Sequence, residues 1–155
     1  MRAVALILFA LLTTPALAQG WQTYGNARFG YLIDIPPAFS GLGESDNGDG
    51  QAFAADGKPI DLLVWGGYTL EGFDAETAQR MRWDEDEAWN ITYQATTPGW
   101  ASWSAIKGSR ILYQRMVLLC DGSSYAAFRA EYSVTDSADM DPVIERLVRS
   151  LRGSC

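Results

Sequence analysis

The chain has 155 residues, with 12 basic and 19 acidic side chains, no histidine and a formal net charge of −7 at neutral pH. A domain this acidic is repelled by phosphate backbones and anionic lipid, which excludes nucleic acid as a main partner. The lack of histidine removes the commonest general base, and no spacing of residues calls for a metal or other cofactor.

The N-terminal segment carries the three parts of a secretory signal. Arg2 supplies a positive start, Ala3 to Leu12 is apolar, and Ala16-Leu17-Ala18 is a small-x-small cleavage site. The apolar run is about half of the roughly 20 residues that span a bilayer core. We therefore expect residues 1–18 to be a signal peptide and residues 19–155 a single secreted α+β domain. Its expected location is periplasmic or extracellular, with no membrane span after signal removal.

The first patterned segment is Phe29 to Ile35, where Phe29, Tyr31, Ile33 and Ile35 alternate as one face of a strand. Pro36-Pro37 ends it, and Gly41 to Gly50 reads as irregular turn. Within it, Ser45 to Gly50 has a superficial likeness to a calcium loop. It lacks a proper first ligand and the bidentate glutamate, and reads as a turn instead. Gln51–Ala55 and Ile60–Trp65 read as strands joined at Asp56-Gly57, with Gly66-Gly67 closing the pair. Asp74 to Asn90 predicts one surface helix with a thin apolar stripe of Ala78, Met81 and Ala88 and an acidic start. Its run Asp84-Glu85-Asp86-Glu87 reads as a solvated face, with Arg80 and Arg82 at pairing distance from Asp84 and Asp86.

Four strands should follow, over Ile91–Ala95, Trp100–Ile106, Arg110–Leu119 and Ser123–Val134. Trp100 and Trp103 then face opposite ways, one into the core and one free to line a pocket. The closing helix carries Met140, Val143, Ile144, Leu147, Val148 and Leu151 at i, i+3, i+4, i+7, i+8, i+11, with Asp141 as N-cap and Pro142 first in the helix. Arg146, Arg149 and Arg152 read as a solvated basic face near its C-terminus. Strand runs joined by short turns favour an antiparallel β-sheet with helices packed on it. Cys120 and Cys155 are the only cysteines, and in an oxidising compartment they should pair. The closed loop of about 35 residues would contribute about 3.5–4 kcal/mol in the chain-entropy model.

Three stretches together carry a family pattern. They are Tyr24 with Arg28-Phe29-Gly30-Tyr31 and Asp34-Ile35-Pro36; Asn47-Gly48-Asp49-Gly50-Gln51 with Phe53; and Pro142-Val143-Ile144, Arg146-Leu147-Val148 and Ser150-Leu151. This pattern resembles small secreted bacterial proteins of the PsbP-like α-β-α sandwich type, most of them without an assigned function. The resemblance implies that fold and, because relatives in photosynthetic membranes assist a larger complex without being enzymes, a binding or accessory role.

The residues themselves offer one candidate site. A two-residue turn at Asp121-Gly122 places Leu118 opposite Tyr125, Gln114 opposite Arg129 and Leu112 opposite Glu131. One sheet face then gathers Arg110, Gln114, Arg129 and Glu131, with Ser133, while the other is apolar except for Arg115. Guanidinium forks in such a patch suit a carboxylate or phosphate. No Gly-x-Ser-x-Gly elbow is present, so the expectation leans away from an enzyme. The first reading is a non-enzymatic binding or accessory module of the cell envelope, with an unknown envelope protein or small ligand as partner. The alternatives are a small-molecule binder for an anionic or aromatic ligand, and a carboxylate-dependent hydrolase. Intact-mass measurement of exported protein should show loss of residues 1–18; a retained Met1 would end the compartment argument.

Overall fold

A computed structural model describes residues 20–155, so the expected signal peptide lies outside the described residues. Strands β1 (Gln22–Asn26) and β2 (Tyr31–Ile35) form an antiparallel pair. Next come β3 (Phe39–Glu44), β4 (Gly50–Ala55) and β5 (Asp61–Tyr68), then helix α1 (Phe73–Asp86). Strands β6 (Asn90–Thr96), β7 (Trp100–Lys107), β8 (Arg110–Leu118) and β9 (Ser124–Ser133) follow. A single 3-10 turn leads into α2 (Ser137–Ser150), and the short β10 (Arg152–Gly153) pairs with β2.

The larger sheet is antiparallel throughout, in the order β3-β4-β5-β9-β8-β7-β6, and β1-β2-β10 make a second, smaller sheet. Helix α2 packs on one face of the large sheet together with β2, and α1 on the other. Each face therefore has its own apolar core. The α2 side is the larger. Met140, Ile144, Leu147 and Leu151 of the helical stripe meet Tyr31 and Ile33 of β2 and Leu62, Val64, Phe128 and Tyr132 of the sheet. The α1 side buries Trp103, Leu112, Met116, Tyr125 and Ala127.

The hairpin register read from Asp121-Gly122 is the observed one, with Leu118 opposite Tyr125, Gln114 opposite Arg129 and Leu112 opposite Glu131. Asp121 holds this turn. Its carboxylate accepts from Ser124 Oγ at 2.7 Å and from the backbone N–H groups of Ser123 and Ser124. Those bonds, led by the Ser124 hydroxyl, hold its carboxyl below the usual carboxylate range. Cys120 and Cys155 are paired across 6.4 Å between Cα atoms, tying the end of the chain to this turn.

Several expectations give way. Gly41 to Gly50 is not all turn: β3 runs to Glu44, and only Ser45–Asp49 is loop, closed by Ser45 N–H donating to the Gly50 carbonyl at 2.9 Å. The glycines Gly66 and Gly67 do not end β5, which continues to Tyr68. Helix α1 stops at Asp86, before the expected Asn90. Ala88 takes φ 67°, a left-handed value that turns the chain, and Trp89 donates its N–H back to the Asp84 carbonyl. Helix α2 begins at Ser137, so Asp141 is not its N-cap and Pro142 lies inside it. Pro142 is the sixth residue of the helix, past the first turn, so it forgoes the bond its N–H would have made to the Ala138 carbonyl.

Leu147 is 1% exposed and belongs to the apolar core that α2 shares with β2 and the large sheet. Leu147→Ala should lower stability by about 2–5 kcal/mol, as buried leucine truncations do. A chemical denaturation curve checks it, and a change below about half a kcal/mol, the scale of a neutral surface substitution, would show the stripe is not core.

Candidate functional site

The site is built on the α1 face where β5, β9 and β8 lie side by side. Pairing puts Leu63, Arg129 and Gln114 in one row across the sheet, Asp61, Glu131 and Leu112 in the next, and Trp65, Ala127 and Met116 on the other side. Alternation of side chains along each strand sends all of these to the same face. Helix α1 crosses that face. Phe73, Thr77, Arg80 and Asp84 follow i, i+4, i+7, i+11 along its inward side, and Phe73, Thr77 and Asp84 are buried.

Asp84 is the joint between helix and sheet. Its Oδ2 accepts from Trp103 Nε1 at 2.7 Å and its Oδ1 from Arg129 Nη1 at 2.5 Å. Arg129 in turn donates Nε–H to Glu131 Oε1 at 2.7 Å, reaches Gln114 Oε1 at 3.3 Å and lies over the Trp89 ring. One turn back, Arg80 donates to Glu76 Oε1 at 2.9 Å and to Tyr125 Oη at 2.7 Å. Its guanidinium is flanked by the rings of Trp65 and Trp83, with centroids at 5.7 and 5.0 Å. Burial pushes the Tyr125 phenol up, so it stays protonated beside the arginine. Gly67 makes room for that phenol. A Cβ there would stand 2.6 Å from Tyr125 Oη, closer than a side chain can approach.

Between α1 and the sheet lies a cleft of about 610 Å³. Trp65, Trp83, Arg80 and Leu63 line it with Gln114, Arg129, Glu131 and Asp84, and Asp49 and Glu87 contribute two more carboxylates. Three of the four expected site residues, Gln114, Arg129 and Glu131, are thus brought together. Arg110 is on the same face but outside the cleft. It donates to the Pro59 carbonyl at 2.7 Å, meets Asp61 at 3.4 Å and stands 4.0 Å from Glu131 Oε2.

The expectation of two guanidiniums waiting for an anion does not fit this geometry. Arg129 is held by Asp84 and Glu131, and Arg110 by Asp61 and a carbonyl. Four carboxylates against two guanidiniums make the cleft lining acidic. The acidic run is also corrected. Glu85, Asp86 and Glu87 are exposed, but Asp84 is buried. Arg80 pairs with Glu76 rather than with Asp84.

Trp65, Arg80, Trp83 and Asp84 were not singled out from the sequence as site residues. The signal for Arg80 and Asp84 was their spacing from Phe73 and Thr77; for Trp65 it was alternation along β5. Trp103 is the fully buried one of the two tryptophans, while Trp100 is half-buried on the opposite face. Ser104 and Lys107 stand at a Ser-x-x-Lys spacing, but three residues along a strand send them to opposite faces. Lys107 reaches the Glu87 carbonyl on the α1 side, and Ser104 lines the α2-side groove.

The layered arrangement has known counterparts. The chain overlays the solution structure of cyanobacterial PsbP from Synechocystis with a TM-score of 0.66 and 11% identity, covering 90% of this chain and 96% of that one. The fold is PsbP-like. The yeast Ran-binding protein Mog1p matches with a TM-score of 0.62 and 8% identity over 88% of this chain and 96% of its own. LpqN of Mycobacterium tuberculosis, described as involved in cell envelope biogenesis, matches with 0.55 and 14% identity over 85% and 89%. No family model matches the sequence, and no curated protein matches it. Identities this low speak to the PsbP-like fold alone, and activity has to be argued from the cleft.

Removing one partner of a buried ion pair leaves a charge without compensation. Asp84→Ala should therefore lower stability by about 3 kcal/mol, whereas Glu85→Ala and Asp86→Ala should stay within about 0.5 kcal/mol. Thermal or denaturant unfolding of the three variants checks this, and equal effects would remove Asp84 as the joint.

Proposed function

We propose that this protein is a secreted, non-enzymatic binding module of the cell envelope, periplasmic or extracellular, which takes its partner in the α1 cleft. The observation that carries this reading is the cleft itself. It has two tryptophan walls, a rigid polar floor on three paired strands, and a volume in the range of ligand sites. Gln114, Arg129 and Glu131 supply polar contacts at the floor, and Trp65, Arg80 and Trp83 the stacking surface. Because the lining is acidic, the group it suits is neutral and hydroxyl- or amide-bearing, or cationic, rather than an anion.

Three further points support the reading. Cys120 and Cys155 are paired, as befits an oxidising compartment. Among proteins of like fold, one is described as Ran-binding and another as involved in cell envelope biogenesis. The two carboxylates at the floor of the cleft are already committed. Asp84 spends both oxygens on Arg129 and Trp103, and Glu131 sits between Arg129 and Arg110. A small-molecule ligand is the second reading, favoured by the cleft's volume.

Trp83 tests the proposal with the least structural risk, since it is 47% exposed on the cleft wall. Affinity capture from intact cell envelopes should recover a defined component with the wild type and lose it with Trp83→Ala at an unchanged melting temperature. The same capture by both proteins, or none by the wild type, would remove the cleft as the binding site.

A further inference from the structure

The floor of the α1 cleft holds two polar atoms that the protein leaves open. Gln114 is 2% exposed and lines that floor. Its Oε1 accepts from Arg129 Nη1 at 3.3 Å, but its Nε2 donates to no group among the described residues. The one sealed side-chain polar atom without a partner among those residues is Arg115 Nε, across the sheet. Gln114 Nε2 is therefore not sealed, and its opening is the cleft. Glu131 supplies the counterpart. Its Oε1 takes the Arg129 Nε–H at 2.7 Å, while its Oε2 stands 4.0 Å from Arg110, beyond hydrogen-bond reach. One guanidinium thus holds an amide and a carboxylate, each with its second polar atom free.

This pair restricts the ligand. A nearly buried donor needs an acceptor, and a free carboxylate oxygen needs a donor. An ammonium or guanidinium only donates and cannot answer Gln114. The cation position between Trp65 and Trp83 is also taken, by Arg80 at 5.7 and 5.0 Å from their centroids. A carboxylate or phosphate only accepts, and would meet Asp49, Asp84, Glu87 and Glu131 against two guanidiniums. A hydroxyl both donates and accepts, and neighbouring hydroxyls serve both atoms at once. The wall adds a second requirement. Trp83 and Leu63 are both partly exposed there and offer a surface for C–H groups. Hydroxyls on a rim and C–H bonds on a flat face describe a pyranose ring. A peptide also donates and accepts, but its backbone is read by pairing along a sheet edge. Strands β5, β9 and β8 are inner strands, each already paired on both sides.

We propose that the α1 cleft binds a neutral saccharide, a hexose unit of a glycan. Its ring lies against Trp83, one hydroxyl oxygen accepts from Gln114 Nε2, and a hydroxyl proton is donated to Glu131 Oε2. This rests on the α1 cleft being the binding site and adds the class of ligand it takes.

The test applies the mature protein to an array of neutral, N-acetylated, amino and uronic-acid oligosaccharides, and titrates the best neutral or N-acetylated hit by calorimetry. Wild type should bind neutral or N-acetylated members in preference to both charged classes. Gln114→Met keeps the side-chain length and removes the donor, and should weaken that hit about tenfold, the scale of one hydrogen bond. Should Gln114→Met fail to fold, Trp83→Ala on the exposed wall serves instead and should weaken the same hit tenfold or more. Binding of no array member, preference for an amino or uronic-acid class, or wild-type affinity in the folded variant overturns the proposal. The cleft reading fails separately. Envelope capture of a protein that depends on Trp83, with no saccharide bound on the array, removes the saccharide and keeps the cleft; loss of both removes the cleft as well.

Discussion

The cleft depends on one buried carboxylate. Asp84 is the buried charged anchor of α1, whose inward stripe is short and mostly polar: Phe73, Thr77, Arg80 and Asp84. A helix with so little apolar area cannot be oriented by hydrophobic contact alone, since that attraction is non-directional. Hydrogen bonds at fixed angles supply the direction instead: Asp84 accepts from Trp103 on β7 and Arg129 on β9, and Arg80 donates to Tyr125 on β9. The cleft lies beside this joint, lined by Trp83, Arg80 and Asp84 of the helix and Leu63, Trp65, Arg129 and Gln114 of the sheet. The joint also accounts for the chain's path after the helix. Trp89 closes back onto the Asp84 carbonyl and places its ring under Arg129.

The same pair decides how the arginines behave. Arg129 read alone is a fork ready for an anion. Set between Asp84 and Glu131, with Gln114 beside it, it becomes part of a chain of alternating charge that continues through Arg110 to Asp61. Such a chain satisfies its own desolvation and leaves the acidic members to set the field of the cleft. Compensation, and not residue type, therefore determines what the face can bind.

Much of the fold was legible in the sequence, for reasons that differ by element. The β8–β9 register could be read because it is local: a tight turn at Asp121-Gly122 forces every pair above it. The α2 stripe could be read because its apolar spacing is wide and uninterrupted. Strands β1, β3 and β10 could not, since they are largely exposed edges without alternating hydrophobicity, and pairing makes them strands. The candidate site was half legible. Its floor follows from the β8–β9 hairpin, but its other wall requires β5 beside β9, a pairing that spans some sixty residues and leaves no local mark. Asp84 was concealed differently. It is one of four consecutive carboxylates, and only its place eleven residues after Phe73 distinguishes it from Glu85, Asp86 and Glu87, which stay in water.

The two faces of the sheet make one physical contrast. Each carries a guanidinium beside tryptophan: Arg129 by Trp89 on the α1 side, Arg115 by Trp100 on the α2 side. The first lies in a polar setting that supplies two carboxylates; the second lies among apolar side chains that supply none. Alternation along β8 and β9 separates these environments by the thickness of a single sheet, so neither arginine can borrow the other's counter-charge. A rigid antiparallel sheet thus lets one small domain keep an acidic cleft and an isolated cation apart. The helix that covers each face then determines which of them remains open to a partner.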